Sequence, residues 1–276
     1  MLSNLKNIFF ILYQKILKSL YGSGLSKIPV IRNLHRKLIK VLKPDFIHVF
    51  DYKMYLDPND QGSYSISQDS ETEELRFLKE KFGSNSGKII VDIGANIGFY
   101  TLFFAKLVGT KGMVYAFEPE PKNFEILKKN ISVNNLKNVK CYNFAVGSSN
   151  RTINMSLSDE MGQHYIDLNG DLEVKCIQLD DYIKNADFIK IDAEGFEEQI
   201  LKGMPNLLSQ NISLMIEYYY KLLKKHSNPI SVIQILLKNN FSFFDMRNNF
   251  KLTTLDEIQD IYTESSGATD LFCYKS

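Results

Sequence analysis

The sequence predicts an α/β fold: a mostly parallel sheet with helices on both faces, preceded by a helical arm. Three observations carry this. Short runs rich in Ile, Val and Phe alternate with longer segments of helical period, the mark of repeated strand–helix units. One such strand, Ile89-Ile90-Val91, stops at Asp92 and passes through Gly94 and Gly98 into an apolar helix over 99–108. Glycine lets a ligand approach the backbone there, and the helix end offers free N–H groups. The next strand, Met113 to Phe117, ends at Glu118-Pro119, where a carboxylate is placed to accept the two hydroxyls of a ribose.

The elements follow in order. Residues 1–44 carry nine Lys and Arg and no Asp or Glu, so the remaining chain is acidic although the net charge of the whole is only +1. Arm and body are therefore separate units, 1–44 and 45–276. Within the arm, Leu5, Phe9, Leu12, Ile16 and Leu20 share one helical face. A second basic segment, Ile31 to Lys43, sets Leu34, Leu38, Ile39 and Leu42 among Arg32, Arg36, Lys37 and Lys40. Such helices pack against the body or a partner, the favoured arrangement, or lie on an anionic membrane surface. The longest apolar run, Ile8 to Tyr13, is far too short to span a bilayer, and no convincing cleavage site follows it. The expected location is cytoplasmic, with membrane association left open.

From Asp45 the period becomes strand-like, and Ile47, Val49 and Met54-Tyr55-Leu56 predict a hairpin. Ser70 with Glu73 predicts a capping box for a helix through Leu75, Phe77, Leu78 and Phe82. Pro121 opens a helix to about Asn134. Val139 to Val146 reads as a third strand, and 152–157 with 172–178 as a local strand pair around a polar loop. Phe188-Ile189-Lys190-Ile191 is a short buried strand ending at Asp192, with a helix from near Glu194 to Gly203. Ile212 to Glu217 is the next strand, 231–239 a helix, and 241–246 with 271–274 a final pair for which an antiparallel arrangement is expected.

Cys141, Cys176 and Cys273 are scattered, with no Cys-x-x-Cys and no His/Cys cluster. Neither a disulfide framework nor a resident metal is expected from them, and reduced thiols suit a cytosolic chain.

Taken together, Val91-Asp92-Ile93-Gly94-Ala95-Asn96-Ile97-Gly98-Phe99-Tyr100-Thr101, Ala116-Phe117-Glu118-Pro119 and Phe188-Ile189-Lys190-Ile191-Asp192-Ala193-Glu194-Gly195-Phe196-Glu197 resemble the FkbM family of S-adenosylmethionine-dependent methyltransferases. The resemblance runs from about Asp51 to the C-terminus and leaves the arm outside. It implies a Rossmann-like class I methyltransferase fold with seven strands, one of them antiparallel. It implies S-adenosylmethionine as cofactor, with Asp92, Gly94, Asn96 and Gly98 around its methionine part and Glu118 on its ribose. Asn143 and Ala145, with their neighbours to Val146, would lie beside the adenine. Many methyltransferases place an acid there, and this chain has none. Similar proteins methylate hydroxyls of sugars or polyketide-like products, many in surface-polysaccharide biosynthesis, so the expected partner is a small-molecule or glycan acceptor. No nucleic-acid partner is expected, and the oligomeric state is not legible.

Methyl transfer asks the protein for in-line positioning and for removal of a proton from the acceptor oxygen. Asp192, at the carboxyl end of its strand, is the first candidate: general base, holder of the acceptor hydroxyl, ligand of a divalent ion, or merely a helix cap. Alternation along the strand puts Lys190 on the same face, where the two can pair. His164, in the loop of the inserted strand pair, is a rival base, and Glu217 a further candidate at the pocket edge. Three other classes compete. A nicotinamide-dependent oxidoreductase would want a third glycine where Asn96 stands. A non-catalytic binding module on the same fold is the second; the retained Asp92, Gly94, Gly98 and Glu118 argue against lost cofactor binding and say nothing direct about turnover. A nucleic-acid methyltransferase would want a basic aromatic strip, and the body is acidic.

Overall fold

A computed structural model describes residues 28–57, 72–157, 164–167, 169–247, 251–263 and 266–275, together with 9, 10, 12, 13 and 16. A helix, α1 (Pro29–Leu42), leads into a hairpin of β1 (Phe46–Val49) and β2 (Tyr52–Tyr55). Phe50 and Asp51 turn the hairpin at φ of 54° and 68°, the geometry that matches the right-handed twist of paired strands. Next come α2 (Glu73–Phe82), β3 (Ile89–Ile93), α3 (Phe99–Val108), β4 (Met113–Phe117), α4 (Pro121–Val133) and β5 (Val139–Tyr142). An inserted unit follows: β6 (Ala145–Val146), β7 (Arg151–Leu157), β8 (His164–Ile166), β9 (Leu172–Ile177) and a single turn α5 (Leu179–Tyr182). The chain then runs through β10 (Phe188–Ile191), α6 (Glu197–Lys202), α7 (Pro205–Ser209), β11 (Ser213–Tyr218), α8 (Tyr220–His226) and α9 (Pro229–Lys238). It closes with β12 (Ser242–Asp245), β13 (Lys251–Thr253), α10 (Leu255–Ile261) and β14 (Thr269–Tyr274).

The main sheet has the order β13-β12-β14-β11-β10-β3-β4-β5. From β5 to β11 every pairing is parallel, and β14 lies antiparallel between β11 and β12. Seven of the strands thus form the mostly parallel sheet with one antiparallel member, and the three-residue β13 adds an eighth at the edge by pairing with β12. Alternation along the strands divides the core between two faces. Ile90 and Phe188 pack with Leu75 and Leu78 of α2 and Phe104 of α3, while Val91, Ile189 and Ile191 pack with Ile200 of α6 and Val232, Ile233 and Leu236 of α9. This is the doubly wound α/β arrangement expected from the sequence, and its ligand face lies at the carboxyl ends of the central strands.

Four expectations change. The helix α2 is capped by Thr72, whose side chain accepts the Leu75 N–H; Ser70 lies outside the described residues. The stretch 139–146 is broken. After Tyr142 the chain leaves the main sheet, and Ala145-Val146 pair in parallel with β9 in a separate four-stranded sheet, β6-β9-β7-β8. The helix after Asp192 begins at Glu197 rather than near Glu194, because Glu194 and Gly195 are left-handed at φ of 52° and 102°. Last, the loop between β12 and β14 holds β13 and the helix α10. Thr254 and Glu257 form a complete capping box there, a signal the sequence contains and the strand-by-strand reading passes over.

The arm is described in part. On α1, Val30, Leu34, Leu38 and Val41 form one exposed stripe, and Phe9, Leu12 and Ile16 are exposed as well, whereas Phe10 is buried. Among the described residues, no helix is long and apolar enough to cross a membrane.

Candidate active site

β3 occupies the middle of the sheet, with β10 on one side and β4 on the other. The chain leaves it through three left-handed residues, Gly94, Asn96 and Gly98, at φ of 76°, 50° and 98°. This turn is pinned to the end of β4, since the N–H groups of Gly94 and Ala95 both donate to Phe117 O at 3.0 Å. The Asn96 N–H donates to Glu118 Oε2 at 2.8 Å, and the Glu120 N–H donates to Glu118 Oε1 at 2.9 Å. Each carboxylate oxygen of Glu118 therefore holds one backbone donor and keeps further acceptor capacity. Burial pushes the Glu118 carboxyl up to about 7, against the pull of those two N–H groups.

A cavity opens at this place. Gly94, Asn96, Glu118 and Ala145 line it, with Pro119 and Asn123 beside them, and Phe117, Phe144, Val146, Met155 and Ile166 give it an apolar wall. Asp192, Ala193 and Glu194, which follow β10, line it as well. The cavity thus combines apolar side chains with the carboxylates of Glu118, Asp192 and Glu194. These residues fit S-adenosylmethionine: a buried carboxylate with free lone pairs for a diol, apolar surface for a purine, and a backbone turn of low bulk between them.

The remaining sequence candidates sit elsewhere. Asp92 is wholly buried behind the turn; its Oδ2 accepts the Thr101 hydroxyl at 2.5 Å and its Oδ1 is 3.9 Å from Lys190 Nζ. Burial pushes the Asp92 carboxyl up, against Lys190 and Thr101. Gly98 is the N-cap of α3, and a Cβ on it would lie 2.7 Å from Leu127 Cδ1, so it serves helix packing. Asn143 is not among the residues lining the cavity: its amide donates to Glu118 O at 2.8 Å and Pro119 O at 2.9 Å, which ties the chain leaving the sheet to the loop carrying Glu118. Lys190 is 3% exposed and donates to Asp192 Oδ2 at 3.0 Å, beneath the cavity wall. Burial works against its charge, but Asp192 and Asp92 outweigh burial and hold the ammonium above its ordinary value. The side chain of His164 lies outside the described residues, as do Gly162 and Gln163; its strand reaches the cavity at Ile166.

The segment after β10 is built around Glu197. This buried carboxylate accepts the N–H groups of Ala193 at 3.0 Å and Gly195 at 3.2 Å through Oε1, which ties the left-handed turn at Glu194 into place. A Cβ on Gly195 would lie 2.7 Å from Leu222 O, so glycine is required there both for φ and for the approach of α8. Burial and the neighbouring Asp192 push Glu194 up to about 8, and burial pushes Glu197 to about 7. Glu120 and Asn123 are not among the sequence candidates, and Glu197 stands there only as the last acid of the third motif. Glu120 does carry a signal: it precedes Pro121 and caps α4 by accepting the Asn123 N–H at 2.6 Å.

Comparison with known proteins gives the family. The Methyltransferase FkbM domain matches residues 92–243, more than half of the chain. The protein belongs to the FkbM methyltransferase domain family. Hexuronic acid methyltransferase AglP of Haloferax volcanii is 30% identical over 153 residues, which are 53% of this chain and 61% of that protein. Methyltransferase sdnD of Sordaria araneosa is 24% identical over 159 residues, 43% of this chain and 61% of that protein. The matches thus span about 60% of the length of these relatives. Among solved structures, the O-methyltransferase from Bacillus cereus in complex with S-adenosylhomocysteine covers 73% of this chain and 79% of its own at a TM-score of 0.44 and 16% identity.

Proposed function

We propose that the protein is an S-adenosylmethionine-dependent O-methyltransferase whose acceptor is a hydroxyl of a sugar or glycan. The observation that carries this reading is one cavity lined by both Glu118, at the end of β4, and Asp192, at the end of β10. The similarity to a hexuronic acid methyltransferase supports the acceptor class. When bound, S-adenosylmethionine supplies a methyl group activated by a positively charged sulfur. Glu118 accepts its ribose hydroxyls, the Gly94–Gly98 turn takes the methionine end, and Phe144, Ala145 and Val146 take the adenine. The adenine is held by shape and apolar contact, and the amide donors of Asn143 are spent on backbone carbonyls. Asp92 acts from behind: it orients Thr101 and shares Lys190 with Asp192.

Asp192, side chain 36% exposed and held by Lys190, receives the acceptor's hydroxyl proton as methyl transfer proceeds. A positioned base of this kind contributes about 10²–10⁴ in rate. Phe144, Met155 and Ile166 exclude water from the same space. The arm is assigned to an anionic membrane surface on the cytoplasmic side, supported by nine basic residues without an acid in 1–44 and by the exposed stripe of α1.

The test incubates the protein with S-adenosylmethionine and a panel of hexuronic-acid and hexose glycans and reads methylation by mass spectrometry. Asp192→Asn should lower turnover by about 10²-fold or more while cofactor affinity holds. Unchanged turnover removes Asp192 as the base. Binding of NAD in place of S-adenosylmethionine overturns the cofactor assignment.

A further inference from the structure

The carboxyl ends of β10 and β11 carry a second chemical feature beside the cavity. Asp192 and Glu194 follow β10, and Glu217 lies near the end of β11, where the two strands are paired in parallel. Each of the three offers a carboxylate oxygen, and these oxygens all lie within 4.8 Å of one another. We propose that Asp192, Glu194 and Glu217 form a binding site for a divalent cation.

Like charges gather this closely only when something positive joins them or when some carry protons. Hydrogen bonds do not account for the arrangement. Glu194 Oε2 and Glu217 Oε2 are shut off from solvent and have no hydrogen-bond partner. A fourth, deeply buried carboxylate adjoins the cluster. Glu197, 99% buried by its 1% exposure, spends Oε1 on the N–H groups of Ala193 and Gly195, the residues on either side of Glu194. Its carboxylate therefore underlies the Glu194 turn, and its Oε2 is buried without a partner. The cation that touches this cluster through a side-chain hydrogen bond, Lys190, is divided between Asp192 and Asp92. Removing a carboxylate from water without a partner is costly, and a divalent ion supplies the missing charge and the missing bonds together.

The donor set selects the ion. All three groups are hard carboxylate oxygens, with neither thiolate nor imidazole among them, which suits Mg²⁺, Mn²⁺ or Ca²⁺ rather than Zn²⁺. Cysteine and histidine spacing predicts no metal, and a carboxylate site leaves no such spacing to find. Two of the ligands, Asp192 and Glu194, also line the cavity. Resting on the methyl-transfer reading above, an ion held there would fix the acceptor oxygen beside Asp192 and make its proton easier to remove.

The site is tested on the full chain, freed of metal by chelation and dialysis and titrated with Mn²⁺ alone, reading free Mn²⁺ by electron paramagnetic resonance and stability by thermal melting. One saturable site per chain is expected, with a rise in melting temperature on Mn²⁺ addition. Glu217→Gln and Glu194→Gln should each weaken binding at least about tenfold, the loss of one charged ligand of three. Each should also melt higher than the parent in the absence of metal, because a crowded charge is gone. Glu125→Gln, an exposed acid on α4, should bind as the parent does. If one of the two Gln variants fails to fold, the other decides. Absence of a saturable site in protein that still melts cooperatively overturns the proposal, as does Mn²⁺ binding unchanged in both variants. Neither cofactor nor acceptor is present, so this failure is distinct from a failure of methyl transfer, which S-adenosylmethionine titration reads separately.

Discussion

Replacing Lys190 by Met removes the one ammonium shared by two carboxylates. Lys190 is 3% exposed, with Nζ 3.0 Å from Asp192 Oδ2, 3.9 Å from Asp92 Oδ1 and 4.7 Å from the centre of the Tyr100 ring. At an effective dielectric constant near 20 the two attractions are roughly 5.5 and 4 kcal/mol, and the cost of burying the ions offsets much of them. The substitution itself meets a different balance. Asp92 is fully buried and would keep only the Thr101 hydroxyl, so an uncompensated charge stays inside. Breaking a buried pair in this way costs about 3–5 kcal/mol, a large part of the roughly 5–15 kcal/mol that holds a domain together. Adding Asp92→Asn to the Lys190→Met chain removes that stranded charge and should restore about 1–3 kcal/mol, a coupling typical of contacting groups. Urea unfolding of the four members of the cycle, at unchanged m-value, measures both quantities. A loss below about 1 kcal/mol for Lys190→Met, or no recovery on adding Asp92→Asn, refutes Lys190 as the counter-ion that holds this end of the sheet together.

Three further outcomes follow from the same geometry. Glu118→Ala should weaken S-adenosylmethionine binding by about 1–3 kcal/mol in calorimetric titration, the worth of a charge-assisted contact, with no effect on protein that has only NAD to bind. In the absence of cofactor, burial raises Glu118 from 4.5 to about 7, so its folded form binds the proton more tightly than its unfolded form. Its contribution to stability is complete below about pH 4.5 and is lost as pH rises through about 7, on the order of 3 kcal/mol in all; Glu118→Gln should flatten the pH dependence of the urea midpoint over that window by this amount, and an equal slope in both proteins counts against a buried, strained carboxyl. For the arm, the full chain should pellet with phosphatidylserine vesicles at low salt and be released at high salt, each basic residue contributing about 1 kcal/mol near the surface; Leu34→Glu with Leu38→Glu should abolish pelleting, and pelleting that survives this change would place the contact elsewhere.

The parts of the fold that can be read from the sequence are those settled by neighbours along the chain. The helix over 99–108 follows directly from its glycine turn and apolar run, and it occupies the same residues in the structure. The pairing of Lys190 with Asp192 follows from strand alternation alone. Their third member does not. Asp92 joins them because β3 and β10 are adjacent in a register that sets Asp92 beside Lys190, a fact of sheet order across 98 positions of sequence. Asn143 is placed beside the adenine by the family resemblance, and only the tertiary fold adds that its amide donors are taken by the carbonyls of Glu118 and Pro119. The helix after Asp192 was misplaced for a local reason: Glu194 adopts a left-handed conformation that a Glu rarely takes, and the strain is met by Glu197, Gly195 and the packing of α8.

Gly94 joins the two motifs. Read along the chain, it belongs to a tight turn that needs a positive φ, and its φ of 76° meets that need. Read across the sheet, it has a second task. A Cβ at Gly94 would stand 1.8 Å from the Asp192 carbonyl oxygen and 2.9 Å from the Asp192 carbonyl carbon. The backbone after β3 and the backbone after β10 touch there, joined also by the Asp192 N–H donating to Ile93 O at 3.1 Å. The glycine turn and the acid beside it are thus set at one fixed separation by main chain rather than by side chains. Any side chain at Gly94 would push Asp192 away from the cavity it lines, and the acid would lose its place before it lost its charge. The glycine of the first motif is therefore a positioning element of the second, and the spacing of the proposed methyl-transfer site rests on backbone contact between two segments that the sequence keeps far apart.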